Sequence, residues 1–268
     1  MKSGFGSGLA ALLMLAALPA SAAMTDWSNA DGGRMRLSAL SEADPGKMTA
    51  ILEIEPAPGW KTYWRNPGDA GMPPQIDLST ARNLKLVRVD YPVPEIGRDE
   101  AGRFFGYHQP VTLVLQLQKI DPAQPSMLSA NVLVGLCREI CLPFQSHFEL
   151  PLDDISQPQA DEFMNIQMAR ATLPEPPSSG FEVVRSGLSA DGAFFEATVS
   201  IPGSGLPEVA VAPSEGILLG KQAEIMNMDG KVEIRYPVTR LPKSLDGATI
   251  TLLVKSAGRA METTLAVK

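Results

Sequence analysis

The residues best suited to chemistry are Cys137 and Cys141, the two cysteines of a 268-residue chain. Along an extended strand their Cα atoms would lie about 13 Å apart, whereas a disulfide needs about 4.4–6.8 Å. A bond between them therefore requires residues 138–140 to turn. Apolar residues alternate on both sides of the pair, which is typical of strands. We predict a hairpin with the pair at its tip, and we interpret the pair as redox-active.

A structural disulfide is the alternative, because exported proteins commonly use cysteines in this way. On the chain-entropy model, a ring of about five residues contributes about 2 kcal/mol, against about 4.7 kcal/mol for a 100-residue loop. A disulfide ring of this size adds little to the stability of a long chain, and small rings favour disulfides that are readily reduced. The spacing therefore favours the redox interpretation, with either sulfur as the attacking atom.

Histidine and methionine offer other candidate chemistry. The cysteines together with His108 and His147 lack the paired ligand spacing of structural zinc sites, so we expect no metal. His108 could tune a nearby thiolate, although a solvated loop residue is the simpler interpretation. Met226 and Met228 would share one face of a strand and could bind Cu(I), but we expect them to pack in the core. We also expect no cofactor.

The start of the chain has the three-part pattern of a secretory signal peptide. Lys2 precedes an apolar run over 9–18, and small residues follow Pro19 up to residue 23. We predict that 1–23 is removed and that the mature protein is exported to a bacterial periplasm. The net charge of −7 argues against nucleic acid and anionic membrane as partners.

The remaining chain is long enough for two domains. With 23 Gly, 23 Pro and few helical periodicities, the sequence predicts an all-β protein of two immunoglobulin-like β-sandwich domains joined by a short helix and a Pro-rich linker. We predict a first domain over 24–157, a helix and linker over 158–178, and a second domain over 179–268. Strands are predicted at 35–40, 49–55, 84–91, 111–118, 126–136, 145–150, 181–185, 194–201, 209–212, 217–219, 232–237, 249–255 and 262–267.

Two segments of the first half, 58–68 and 97–109, are predicted as ordered loops. The helix is predicted from 158 to about 171, because Pro158 and acidic residues suit a first helical turn. The second half has no cysteine or histidine. No chemistry is predicted there.

Four motifs in this order resemble the N-terminal periplasmic domain of the DsbD and ScsB type thiol:disulfide interchange proteins. They are GWKTYW at 59–64, GMPP at 71–74, RFFGY at 103–107 followed by VTL at 111–113, and CREICLP at 137–143. The resemblance covers roughly residues 52–152.

That resemblance implies an immunoglobulin-like domain that accepts electrons from a thioredoxin-like module and passes them on through a mixed disulfide. Cys137 and Cys141 match the redox pair, while Phe104, with Phe105 beside it, matches an aromatic cap that shields the pair. Tyr63 matches a tyrosine near the pair. Since ordinary core packing of an alternating strand would also explain the two phenylalanines, that alternative stays open.

The chain departs from the family pattern in three respects. Gly102 and Arg103 stand where acidic residues commonly precede the cap, the cysteines are closer together than in the DsbD form, and no membrane or thioredoxin-like segment follows. We therefore expect a free-standing domain with a thioredoxin-like or membrane disulfide reductase as electron donor. Periplasmic disulfide proteins are the expected acceptors.

Two functions follow from the sequence. The main hypothesis is a periplasmic protein-disulfide reductase that passes electrons through its CxxxC pair from the membrane reductase to periplasmic disulfide proteins. The competing hypothesis is a non-catalytic periplasmic binding or adaptor module with a structural disulfide. Mild reduction distinguishes the two, because a redox pair should open with the fold intact.

Overall fold

The computed structural model describes residues 24–41, 44, 46–152, 160–228 and 231–268. The predicted signal peptide, 1–23, and the segment 153–159 lie outside the described residues. Within them the fold is all-β, built from antiparallel sheets with a short helix, as predicted. In this part of the chain, no helix is both long and apolar enough to cross a membrane.

Residues 24–152, here called the N-terminal unit, form three sheets with strand orders β1-β2-β3-β9-β6, β11-β10-β5 and β4-β8-β7. The third of these is called the cap sheet below. The strands are β1 (Ser28–Ala30), β2 (Gly33–Ser41), β3 (Lys47–Pro56), β4 (Thr62–Gly68), β5 (Gln75–Asp77), β6 (Leu84–Asp90), β7 (Glu95–Asp99), β8 (Gly102–Tyr107), β9 (Val111–Lys119), β10 (Met127–Cys137) and β11 (Cys141–Pro151).

The core of the N-terminal unit lies between the first two sheets. Leu37, Leu52 and Leu113 form a row across three neighbouring strands, and all three are fully buried. Leu128 and Val132 on β10 belong to the same buried cluster. Because alternate residues of a strand point to one face, the predicted alternation along these strands gives the sandwich its interior. Burial of each such leucine contributes about 1.5–3 kcal/mol.

The prediction of ordered loops at 58–68 and 97–109 is wrong, because most of these residues form the cap sheet. Strand β4 pairs with β8, and β8 pairs with β7. Glycine obscured the strands in the sequence, since it is normally depleted in them. Here it permits close packing: a Cβ at Gly106 would lie 2.3 Å from the carbonyl oxygen of Thr62.

Residues 181–268, here called the C-terminal unit, form a second sandwich with its own buried cluster. One sheet has the order β12-β13-β17-β15, with β16 also paired to β17, and the other has the order β14-β18-β19. Its strands are β12 (Glu182–Leu188), β13 (Phe194–Ser200), β14 (Glu208–Pro213), β15 (Leu218–Leu219), β16 (Glu224–Met228), β17 (Lys231–Arg240), β18 (Thr249–Ser256) and β19 (Arg259–Ala266).

The predictions about strands and about side chains in the second half have different outcomes. The strands predicted there are confirmed to within a few residues, whereas β16 was not predicted. The predicted core packing of Met226 and Met228 is wrong, since both are exposed on β16. The proposed division at 158–178 stays a prediction; Ala210 and Leu253 from beyond it belong to the core cluster of the N-terminal unit.

Helix α1 (Ala160–Ala171) begins close to the predicted start and packs on the N-terminal unit. Ile166 and Ala169 are buried against the outer face of the first sheet, where they contact Ile51 and Val114. The helix therefore covers a second apolar layer of the sandwich, in addition to leading into the linker.

We predict that Ile166→Ala lowers the free energy of unfolding by about 2–5 kcal/mol, because it deletes a fully buried side chain between helix and sheet. Met168→Ala, on the exposed side of the same helix, should change it by less than about 0.5 kcal/mol. Urea unfolding of both variants, followed by circular dichroism, measures the difference. Equal effects would contradict the packing of α1 on the sheet.

Candidate functional site

The two cysteines lie at the tip of the β10–β11 hairpin and are joined by a disulfide. The strands pair in unbroken register from Met127 and Pro151 to Cys137 and Cys141, so the two cysteines face each other. Their Cα atoms are 4.1 Å apart, and residues 138–140 make the turn. The predicted hairpin is confirmed.

The two sulfur-bearing residues differ in exposure. Cys137 is 3% exposed, whereas Cys141 is exposed to solvent. The main chain of Cys137 also pairs with Lys61, through two N–H to carbonyl bonds of 2.9 Å. One side of the disulfide is therefore enclosed, and an incoming thiol would approach from the side of Cys141.

The cap sheet supplies the aromatic side chains that enclose Cys137. Tyr63 on β4 and Phe104 on β8 form a buried cluster with it. Gly97 is opposite Phe104 in the β7–β8 pairing, and a Cβ there would lie 2.4 Å from the ring. Glycine at this position therefore leaves room for the Phe104 ring beside β7.

Phe105 does not share this position. It belongs to the main core cluster, and its ring meets Trp64 edge-on at 6.2 Å between centroids. Successive residues of a strand point to opposite faces, so Phe104 and Phe105 cannot both face the sulfur pair. We therefore keep Phe104 as the candidate shield, and Phe105 becomes a core residue.

An ion pair ties the cap sheet to the disulfide hairpin. The ammonium group of Lys61 is bonded to the carboxylate of Asp99, which ends β7, and lies 4.7 Å from the centroid of the Phe104 ring. Lys61 is buried although it is a lysine. The bond from Lys61 lowers the pKa of Asp99. Lys61, whose backbone pairs with that of Cys137, thus contacts both the Phe104 ring and the end of β7.

Tyr63 reaches the sulfur of the exposed cysteine. Its hydroxyl lies 3.8 Å from Sγ of Cys141, and because a disulfide sulfur carries no hydrogen, the hydroxyl is the donor. Burial, followed by the charge of Asp99, raises the pKa of Tyr63. The phenol is therefore protonated at neutral pH. Gly71 makes room for it, since a Cβ there would lie 2.6 Å from the ring.

The histidines lie in different surroundings. His108 pairs with Glu95 at 2.7 Å and meets the Phe104 ring edge-on at 5.4 Å between centroids. His147 lies 2.9 Å from the side chain of Asn131. Among the described residues, no group of three or more His, Cys, Asp or Glu side chains could hold a metal ion.

Sequence reasoning brought together Cys137, Cys141, Phe104 and Tyr63, and missed Lys61 and Asp99. The two charged residues are far apart in sequence, and neither has a local signal of pairing. Lys61 does lie in the GWKTYW motif, where a lysine among aromatic residues was the available hint.

The fold and the disulfide site together define the class of the N-terminal unit. The N-terminal unit is an immunoglobulin-like sandwich with a disulfide at the tip of a hairpin, one half of which is enclosed by aromatic residues. Residues 35–153 match the family model for the N-terminal part of the thiol:disulfide interchange protein DsbD. Residues 35–153 therefore form a domain of the DsbD N-terminal family, and the resemblance found in the sequence is confirmed for this segment.

Solved structures give a likeness over most of the chain. The crystal structure of the N-terminal periplasmic domain of ScsB from Proteus mirabilis superposes with a TM-score of 0.66 at 22% identity, covering 92% of this chain and 99% of that one. At that identity the likeness concerns the fold.

Other matches are much weaker. A marsupial T cell receptor has 8% identity and covers 89% of this chain and 98% of its own. A titin I-band fragment has 11% identity and covers 88% of this chain and 74% of its own. Both have a TM-score of 0.22 and carry no argument. Among curated proteins, none matches the chain significantly.

We predict that Asp99→Asn lowers the free energy of unfolding by about 1.5–3 kcal/mol, the range for a hydrogen bond to a charged group. The substitution leaves the buried ammonium of Lys61 without its carboxylate, which is costly. Urea unfolding at pH 7 measures the change. Glu100→Gln, exposed at the same turn, is the matched control and should have little effect.

The pH dependence has a definite sign. Since the folded-state pKa of Asp99 is lowered, its contribution is complete above the ordinary carboxyl value of about 3.9 and is lost as pH falls through the folded value. The stability difference between the wild type and Asp99→Asn should therefore narrow below about pH 3.9. A difference that is constant down to pH 2 would contradict the ion pair.

Proposed function

We propose that the protein is a periplasmic thiol:disulfide exchange protein in which Cys137 and Cys141 cycle between a disulfide and a dithiol. One observation carries the proposal: the hairpin presents one exposed cysteine while aromatic residues of the cap sheet enclose its partner. A disulfide that serves only as a staple gains nothing from such one-sided access. Exchange requires it, because a thiolate must reach one sulfur along the S–S axis.

In the reductive half of the cycle, a thiolate of the donor attacks Sγ of Cys141. A bond forms between the donor sulfur and Cys141, the bond to Cys137 breaks, and Cys137 leaves as a thiolate. A second donor thiolate then attacks the donor sulfur of this mixed disulfide and releases Cys141. Two electrons have moved, the donor is oxidised to a disulfide, and the cysteine pair becomes a dithiol after protons are taken up.

The oxidative half runs in the opposite direction. The Cys141 thiolate attacks a disulfide of the acceptor, one acceptor sulfur leaves as a thiolate, and Cys137 then attacks Cys141 to release the second. The exposed cysteine is thus the attacking group, and the enclosed one resolves the mixed disulfide. The acceptor ends as a dithiol, and the protein acts as a protein-disulfide reductase.

Tyr63 suits this chemistry because its hydroxyl is protonated and close to the sulfur that changes charge. A hydrogen bond to the thiolate form stabilises it and lowers the pKa of the thiol. Phe104 suits the other requirement, which is protection. Its ring covers Cys137, the sulfur that must leave as a thiolate, and an apolar cover disfavours that charged form until a partner displaces the ring.

The partners follow from the family. We propose a thioredoxin-like or membrane disulfide reductase as the donor and periplasmic disulfide proteins as acceptors. A periplasmic location is supported by the signal-peptide pattern at 1–23 and by the ScsB domain, which is described as periplasmic. The net charge of −7 fits protein partners better than nucleic acid.

We predict a reduction potential for the Cys137–Cys141 pair in the range of about −270 to −120 mV, that of exchange proteins. The mature protein is equilibrated in glutathione buffers, free thiols are trapped by alkylation, and circular dichroism checks that the reduced fold is intact. A potential below about −300 mV would identify a structural disulfide and support the binding module instead. In support of exchange, Cys137→Ala should accumulate mixed disulfides that Cys141→Ala does not.

We predict that Tyr63→Phe raises the pKa of the Cys141 thiol by about one unit, because a lost hydrogen bond to a charged group of about 1.5 kcal/mol corresponds to that shift. The pH dependence of iodoacetamide alkylation, measured in a Cys137→Ala background, gives the thiol pKa. Tyr107→Phe, which removes a buried hydroxyl that donates to the carbonyl of Pro92, is the matched control. An unchanged pKa would remove Tyr63 from the proposed chemistry.

A further inference from the structure

The contacts between the two units concentrate on the cap sheet. Arg65 on β4 pairs with Glu262 of the C-terminal unit at 3.1 Å, and Asp69, directly after β4, pairs with Lys221 at 3.4 Å. Asp69 also accepts a 2.9 Å hydrogen bond from the backbone N–H of Arg103 on β8. The strands that carry Tyr63 and Phe104 are thus also the strands that touch the C-terminal unit.

Two further bonds involve the free edge of β14. This strand is the first of its sheet, so one side of its backbone has no neighbouring strand in that sheet. Nη2 of Arg103 donates to the carbonyl of Val209 at 2.9 Å, and Nδ2 of Asn66 donates to the carbonyl of Val211 at 2.6 Å. Carbonyls two residues apart point the same way along a strand, so both bonds use one edge.

The two faces of strand β8 therefore contact different parts of the molecule. On one face Phe104 encloses Cys137. On the other face Arg103 reaches β14, and its guanidinium lies 4.9 Å from the centroid of the Phe105 ring. Displacing the backbone of β8 outward from the disulfide would require these bonds to break or bend.

Asn66 connects to the same place by a second route. While its Nδ2 donates to Val211, its side-chain oxygen accepts a 3.1 Å hydrogen bond from the backbone N–H of Gly68, which pairs with Phe104 in the β4–β8 ladder. Gly68 has φ 94° and a Cβ there would lie 2.3 Å from the carbonyl oxygen of Arg103, so the two strands are closely apposed at this point. One side chain thus links β14 to the backbone that positions the ring.

We propose that the C-terminal unit is a brace for the cap sheet, and that Arg103 and Asn66 are positioning residues that act on the disulfide through Phe104. The proposal rests on the proposed function, in which Phe104 shields the pair. The brace sets how often the ring leaves Cys137, and so how fast a thiol that attacks Cys141 without other contacts can expel the Cys137 thiolate.

The test measures the rate at which dithiothreitol reduces the oxidised full chain, with thiols trapped by alkylation at each time. Phe104→Ala should accelerate reduction by about tenfold, which corresponds to a decrease of about 1.4 kcal/mol in the activation free energy. Arg103→Ala and Asn66→Ala should each accelerate it by about threefold, within the range for a single hydrogen bond. Arg235→Ala, which removes an arginine ion-paired within the C-terminal unit, is the matched control and should react at the wild-type rate.

Double variants distinguish an effect on the position of the Phe104 ring from a general loss of stability. If Arg103 and Asn66 act through the ring, adding either substitution to Phe104→Ala should cause no further acceleration. Hydrogen exchange of the β8 amides should also be faster in Arg103→Ala and Asn66→Ala than in Arg235→Ala. Asn66→Ala removes a smaller side chain, so it decides the matter if Arg103→Ala does not fold.

Two results would overturn the brace while leaving exchange chemistry intact. One is wild-type reduction rates in both single variants when Phe104→Ala is fast. The other is an equal acceleration with and without the Phe104 ring, which would indicate general destabilisation. A wild-type rate in Phe104→Ala would instead refute the shield itself. Failure of the exchange function would appear separately, as a reduction potential below about −300 mV, which is typical of structural disulfides.

Discussion

The antiparallel register of β10 and β11 is the constraint on which the site depends. It places Cys137 directly opposite Cys141, and every feature around the disulfide is arranged relative to that pair. Lys61 pairs with the backbone of Cys137, which fixes where β4 begins. β4 then positions β8 and its aromatic residue. A slip of one residue in the hairpin would turn the enclosed sulfur to the opposite face.

A buried charge and an aromatic ring together form the enclosure around Cys137. The ammonium of Lys61 lies against the face of Phe104 and is bonded to Asp99, so one buried cation fixes both the ring and the end of β7. A cation over an aromatic ring is attracted more strongly when water is excluded. The enclosure of Cys137 is therefore aromatic, with a buried cation against the Phe104 ring, and Cys141 stays exposed.

The sequence predicted the features that follow from local patterns. The cysteine spacing implied the turn, and alternating apolar residues identified β10 and most other strands. The cap sheet was missed because its glycines lower strand propensity, although they permit the close approach of β8 to its neighbours. Phe104 and Phe105 could not be told apart, since adjacent residues occupy opposite faces and the sequence does not say which face meets sulfur. The Lys61–Asp99 pair depends on long-range folding.

The hairpin register also bears on how the oxidation state is communicated. The ladder of β10 and β11 holds the two cysteines opposite each other independently of the bond between their sulfurs. Breaking that bond requires little reorganisation of the backbone, so the reduced and oxidised proteins should have nearly the same shape. Partners would then distinguish the two forms by the chemistry of the sulfur atoms themselves. The hairpin would transfer electrons without changing its conformation.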